Sequence, residues 1–145
     1  MSALAVAAVR QRIESALNAA AGYTKSRYHP DLFGFDTRFL MHGAFVVGSP
    51  ATDIHPTAQR QRRTEGALVN TTIEVKVAGN MRADAQIADL DALLALEAAA
   101  ITTVEGVSRA DLHLFFQSAA RETTTEFEFQ ISTITFRAVH RLAFA

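Results

Sequence analysis

The C-terminal part of this 145-residue sequence contains a long run of strand-forming residues without a turn signal. From Glu126 to Phe144 it reads EFEFQISTITFRAVHRLAF, and no Gly, Pro, Asn or Asp occurs after Asp111. At ~3.3 Å per residue an unbroken strand of this length spans roughly 60 Å, whereas a compact domain of this size measures about 40 Å across. We therefore expect the strand to bend sharply, or to leave the globule and contact another molecule.

The alternation of apolar side chains changes parity within this run. Apolar residues occupy odd positions from Phe127 to Ile131 and even positions after Ser132. Because strand side chains alternate strictly, the change indicates either a one-residue bulge or a strand whose two halves are buried on opposite faces. In the second case we expect the first half to serve the protein's own core and the distal half to reach a partner subunit.

The composition indicates a single domain covering residues 1–145. Hydrophobic residues make up 49% and charged residues 20% of the chain, which allows a core and argues against disorder. The net charge of −1 provides no overall attraction to nucleic acid or membrane. The absence of cysteine excludes disulfides, thiolate nucleophiles and zinc–cysteine sites. The N-terminus lacks a signal-peptide pattern, so we expect a soluble protein that is made in the cytoplasm and does not contact a membrane.

Periodicity predicts two helices and four strands. A stripe of apolar residues over residues 6–20 predicts the first helix, with Ser2 as its cap and Gly22 at its end. Strands are predicted at residues 44–47, 69–77 and 112–117 and in the C-terminal run, and residues 118–125 are predicted to form a loop. This order predicts an α+β fold with a mainly antiparallel sheet and two long helices packed on one face.

The second helix, with Asp84 predicted as its cap, is apolar on more than one side. Its predicted core stripe consists of Ile87, Leu90, Leu94, Ala98 and Ile101. Leu93 and Leu96 point away from that stripe. A helix of this kind is either enclosed in a core or faces a partner, and we favour the partner. The residues predicted to lie at subunit contacts are Leu93, Leu96, Ile134, Phe136, Leu142 and Phe144.

No motif with a strong catalytic mechanism is present. The sequence contains no Gly-rich phosphate loop, nucleophile elbow or helix-borne histidine pair. We therefore predict no catalytic residues, no metal and no cofactor. An alternative of a different class is a small metal-binding, ligand-binding or enzymatic α+β domain that uses His29, His42 and Asp36, although their spacing matches no established ligand pattern.

The loop between residues 49 and 65 carries Arg60, Arg62 and Arg63 close together. Connections of this length are uncommon in compact domains and are usually functional or disordered. Three arginines can approach phosphates or an acidic protein surface. In a ring-shaped oligomer we expect this loop to face the channel or the next ring, and in a monomer a solvated loop is the simpler interpretation.

The whole layout resembles the tail terminator proteins of long-tailed bacteriophages, of the minor tail protein U type. The resemblance covers essentially the whole chain. It rests on length, element order and segment character, including RQRI in the first helix and TTIEVKVAGNMRADAQIADLDALLALEAAA across the middle. Related particles such as gene transfer agents use similar proteins. The resemblance implies no catalytic residue, and no residue-level binding motif is carried over.

What the resemblance implies is a structural protein of the virion, located at the head-proximal end of the tail. It implies a homohexameric ring that caps the tail tube, ends its polymerisation and joins it to the head-side connector. The implied partners are other copies of the chain, the tail tube protein and the connector or stopper protein, and contact with DNA passing through the channel stays open. A stopper or connector-completion subunit is the alternative within the same class.

Overall fold

Two long antiparallel strands form the centre of the structure. The computed structural model describes residues 2–27, 29–34, 40–48, 50–56, 66–82, 84–124 and 128–143. The helices are α1 (Val6–Ala19) and α2 (Gln86–Glu105). The strands are β1 (Ala3–Ala5), β2 (Thr24–Lys25), β3 (Ala44–Val47), β4 (Ala51–Ile54), β5 (Leu68–Asn80), β6 (His113–Thr123) and β7 (Phe129–Ala143). The predicted α+β fold is confirmed.

The central pair, β5 and β7, is bordered on each side by two shorter strands placed end to end. β5 pairs with β7 over all 13 of its residues without a register shift. β6, antiparallel, and β1, parallel, share the outer edge of β7. β3 and β4, both antiparallel, share the outer edge of β5, and β2 adds in parallel to β3. The long C-terminal run is therefore the centre of the sheet and does not project from it.

Both helices pack on one face of this sheet and form the main core with it. α1 contributes Val9, Ile13 and Leu17, which recur at helical spacing and are fully buried. α2 contributes Leu93, Ala100 and Val104. The sheet supplies alternate residues of its two central strands: Ile73, Val75, Val77, Ile134, Phe136 and Ala138.

The change of parity in β7 reflects burial on opposite faces of one sheet. Phe129 and Ile131 join a second, smaller cluster on the face away from the helices, where Phe33 and Leu40 cover the sheet. From Ser132 onward the even positions face the helices. The β5–β7 ladder contains no bulge, and the register shift lies in β6, between Phe116 and Ser118.

The distal half of β7 was predicted to contact a partner, and for Ile134 and Phe136 this prediction is wrong. Ile134 and Phe136 are fully buried in the main core. Leu142 is half-buried within the subunit's own sheet, where its backbone amide donates to the Ala67 carbonyl and its carbonyl accepts from Gly66. Phe144 lies outside the described residues. Both halves of the strand thus serve the same subunit.

The orientation of α2 also differs from the prediction. Leu93, expected on the outer side, is fully buried, and a Cβ placed on Gly79 of β5 would lie 3.1 Å from its side chain. Leu96 is half-buried against the main core. Ile87 and Leu94, expected in the core, are 75% and 37% exposed. Apolar residues surround most of this helix, so periodicity gave no reliable facing direction, and the close approach at Gly79 selects the side that packs.

The starts of the helices and the extent of the strands required further corrections. Residues 3–5 pair with β7 and delay the start of α1, and neither Ser2 nor Asp84 caps a helix. The first turn of α2 instead carries buried Asp89, which accepts hydrogen bonds from the backbone amide and guanidinium of Arg82. These hydrogen bonds hold the pKa of Asp89 below its usual range. Residues 118–123, predicted as a loop, continue β6 because β7 offers them a partner along its edge.

Leucine truncation at two adjacent positions tests the orientation of α2. Leu93→Ala should lower the free energy of unfolding by about 2–5 kcal/mol, because it leaves a cavity against Gly79. Leu94→Ala, the matched control, should cost less than about 1 kcal/mol in the monomer. Urea unfolding at low protein concentration measures both values. Equal costs would contradict the orientation described here.

Candidate functional site

The two histidines proposed for a metal site each accept a hydrogen bond from a backbone amide. His29 Nδ1 accepts a hydrogen bond from the Asp31 amide at 3.2 Å. His42 Nδ1 accepts one from the Asn80 amide at 3.3 Å. Asp36 lies outside the described residues. Within the described ranges, no group of three or more His, Cys, Asp or Glu side chains is arranged to hold a metal ion.

Arg60, Arg62 and Arg63 of the predicted arginine loop also lie outside the described residues. A groove of about 820 Å³ runs between α1 and the end of α2. Arg12 of α1 spans this groove and donates two hydrogen bonds of 3.0 Å to Asp111. The pair lowers the pKa of Asp111, mainly through these hydrogen bonds. The groove therefore contains an ion pair that joins α1 to the segment after α2, among mostly small side chains.

One side of the molecule combines exposed apolar residues with the outermost long strand. We call it the α2–β6 side and define it by the apolar residues of one α2 stripe together with Phe116 of β6: Ile87, Leu90, Leu94, Ile101 and Phe116. Ile87, Leu94 and Phe116 are among the large apolar residues that remain exposed. β6 is 11 residues long, and most of its side chains are exposed. Several exposed apolar residues on one side of a subunit commonly mark an interaction site.

A short polar network fixes the geometry of this side. Glu97 of α2 accepts from Arg121 of β6 and from Ser132 of β7, each at 2.6 Å. Glu105, near the end of the same helix, accepts from the Phe116 backbone amide at 3.4 Å. Phe116 also packs edge-on against Phe136 of the main core, with ring centroids 6.3 Å apart. The helix and the edge strand are therefore held together as one surface.

The opposite end of the sheet carries a basic groove. We call it the β2–α1 side and define it by the charged and polar residues that line the groove: Arg10, Glu14, Lys25, Arg27 and His29. The groove measures about 790 Å³. Glu14 lies 2.5 Å from Arg10 and 3.0 Å from Lys25. Burial opposes the ionisation of Glu14, but the two cations outweigh it and lower its pKa. One carboxylate thus stands among three cations.

The sheet face away from the helices is polar where the second cluster does not cover it. The Arg137 guanidinium lies over the Phe115 ring, 5.2 Å from its centroid. Nε of Arg137 and Oδ1 of Asn70 are buried without a hydrogen-bond partner in the described structure. These two groups, on neighbouring strands, are the clearest unsatisfied polar atoms of this face.

Buried His140 forms a chain of hydrogen bonds with two threonines. Its Nδ1 lies 3.0 Å from the Arg141 carbonyl, which can only accept, so Nδ1 carries the proton of the neutral ring. Nε2 then accepts from the Thr71 hydroxyl at 2.7 Å, and Thr52 donates to Thr71 at 3.0 Å. Burial lowers the pKa of His140, and hydrogen bonds to the Arg141 and Leu4 backbone partly oppose the shift. This chain of hydrogen bonds links β4, β5 and β7.

Comparison with known protein families gives no match, and comparison with curated proteins finds none that is similar. Within the described part of the chain, no helix is long and apolar enough to cross a membrane. The surfaces above therefore carry the functional argument. Sequence reasoning missed Ile87 and Leu94 as surface residues, although it recognised that α2 is apolar on more than one side.

Acidification should destabilise the protein through His140. The unfolded chain binds a proton near the ordinary pKa of about 6.5, whereas the folded chain resists it, so stability falls as the pH drops below that value. Between pH 7.5 and 5.5 the loss reaches at most about 1.4 kcal/mol, the value for a folded state that binds no proton in this range. His140→Leu should reduce this loss. It should also lower the stability at pH 7.5, because it removes the hydrogen bond to Thr71. Urea unfolding at both pH values measures the effect, with exposed His113→Gln as control, and an unchanged pH slope in His140→Leu would contradict it.

Proposed function

We propose that this chain is a structural subunit that assembles with copies of itself into a ring of the tail-terminator type. The observation that carries the proposal is the exposure of Ile87, Leu94 and Phe116 on one side of a subunit that already has a complete core. Exposed apolar residues of this kind are buried in stable assemblies. The sequence layout that resembles tail terminators is the second support.

A ring subunit needs two different surfaces, one for each neighbour, because a heterologous contact joins unlike surfaces of the two copies. Such contacts form a closed ring when the rotation that relates neighbouring subunits returns to the first subunit. The chain offers two unlike sides at opposite ends of one sheet: the apolar α2–β6 side and the basic β2–α1 side. The absence of a metal-ligand cluster from the described residues is compatible with this role, but it does not test it.

In the proposed role the ring holds six subunits at the head-proximal end of the tail. It caps the tube, ends its polymerisation and binds the tail tube protein on one face and the connector or stopper protein on the other. The arginine loop with Arg60, Arg62 and Arg63 is proposed to face the channel or a neighbouring ring. A stopper subunit remains the second candidate, since the same two-sided exposure would serve it equally.

Imaging of assembled particles tests the location. Particles labelled through this chain should show six copies at the end of the tail tube that is nearest the head. Copies between that ring and the portal would favour the stopper role, and absence from the tail would overturn the proposal. Native mass spectrometry of the purified chain provides the copy number independently.

Charge introduced on the α2–β6 side should weaken self-association without unfolding the subunit. Ile87→Asp and Leu94→Asp together place two carboxylates in a surface that becomes buried, and we expect association to weaken about tenfold or more. Ala7→Asp on the exposed side of α1 is the control and should assemble normally. Analytical ultracentrifugation measures association, and circular dichroism checks the fold. Normal assembly of the double variant would show that this side is not the interface.

A further inference from the structure

Four strands of the sheet are each paired on one side only within the described residues: β1, β2, β4 and β6. Two of them lie at opposite ends of the sheet, where β6 pairs with β7 at one end and β2 pairs with β3 at the other. An unpaired strand edge presents backbone donors and acceptors that readily accept another strand. The two edges belong to the two sides defined above, the α2–β6 side and the β2–α1 side.

The directions of the strands make these two edges compatible. β6 is antiparallel to β7, β7 to β5 and β5 to β3, whereas β2 is parallel to β3. β2 therefore runs antiparallel to β6. A second copy displaced sideways in the plane of the sheet would present its β2 to β6 in an antiparallel arrangement, with the helices of both copies on the same face.

The register shift in β6 limits the length of strand that can be added to it. The shift between Phe116 and Ser118 interrupts regular pairing. Residues 118–123 form a regular segment beyond it. β2, with two residues, is short enough to pair within that segment without crossing the irregularity.

The charges of the two sides are complementary. Along α2 and β6, Glu97 is neutralised by Arg121, which leaves two exposed carboxylates: Glu105 on the helix face, and Glu122, which pairs with Ile131 and faces away from the helices. The β2–α1 side carries three cations around one carboxylate. Two α2–β6 sides facing each other would bring these carboxylates together, which opposes a two-fold contact. An acidic side facing a basic side favours a head-to-tail contact.

We propose that the α2–β6 side binds the β2–α1 side of a second copy of this chain, so that β2 of one subunit extends the sheet of the next along β6. The inference rests on the proposed function, because it identifies the contact through which the ring closes. In this arrangement the neighbour covers Leu94, Ile101 and Phe116. Its Lys25 and Arg27 bring positive charge to the β6 edge, where Glu105 and Glu122 lie on opposite faces of the sheet.

A charge-exchange experiment tests the pairing of the two sides. One variant carries Glu105→Lys and Glu122→Lys, and the other carries Lys25→Glu and Arg27→Glu. Each should associate at least about tenfold more weakly than the unmodified chain, because like charges meet at every junction. An equal mixture should recover association, since each junction then joins opposite charges in an alternating assembly. Arg27→Glu alone serves where loss of the Lys25–Glu14 pair impairs folding.

The outcomes separate this contact from its alternatives. If either folded variant assembles normally alone, or if the mixture does not recover, the pairing is wrong. A two-fold contact through β6 would leave the variant with Lys25→Glu and Arg27→Glu fully associated. If charge exchange fails but the unmodified chain still assembles and caps tails, the proposed function holds and the interface is a different one. If the mixture recovers association but no copies are found on particles, the contact holds and the tail function is wrong.

Cysteine cross-linking locates the contact on the strands. The natural chain contains no cysteine, so introduced thiols report only the intended pair. Ala120→Cys in β6 and Thr24→Cys in β2 should form covalent dimers when the two single variants are mixed with a short bis-maleimide. Neither should cross-link with itself, and Asp53→Cys on β4 is the control in place of Thr24→Cys. Cross-linking of Ala120→Cys with itself, or only with Asp53→Cys, would overturn the proposed pairing.

Discussion

The uninterrupted ladder between β5 and β7 is the interaction on which the rest of the structure depends. Each strand of the pair provides one outer edge for two shorter strands and one face for the helices. A slip of one residue in β7 would move Ile134 and Phe136 to the polar face. The buried sides of α1 and α2 would then lack these two residues as packing partners. The ladder therefore sets the core, the position of both helices and the position of the shorter strands at the two edges of the sheet.

The fold class was predictable because it depends on the order of elements, which periodicity shows clearly. The facing of α2 was not, because a helix with apolar residues on most sides has no strong stripe, and a glycine on another strand decides which side packs. The parity change in β7 left two interpretations open, a bulge or burial on two faces, and the sequence did not decide between them. Only the tertiary structure shows that Phe33 and Leu40 cover the first half from the opposite side.

The short strands and the direction of the exposed apolar surface were beyond sequence reasoning for a related reason. β1, β2 and β4 contain two to four residues each, too few for a detectable alternation, and they exist because long neighbours offer them backbone partners. The same dependence extends β6 past residue 117. The exposed apolar surface then consists of residues first assigned to the core, Ile87 and Leu94 among them, so its composition was predictable although its direction was not.

The position of β7 in the sheet affects how the chain can fold during synthesis. Six strands precede β7 along the sequence, and three of them, β1, β5 and β6, have it as a direct neighbour. Until β7 has emerged from the ribosome, α1 and α2 lack half of the surface on which they pack, and β1 is separated from its only strand partner within the described residues by almost the whole described chain. Contacts so distant in sequence close slowly. The nascent chain must therefore keep its apolar segments from aggregating until its central strand is available.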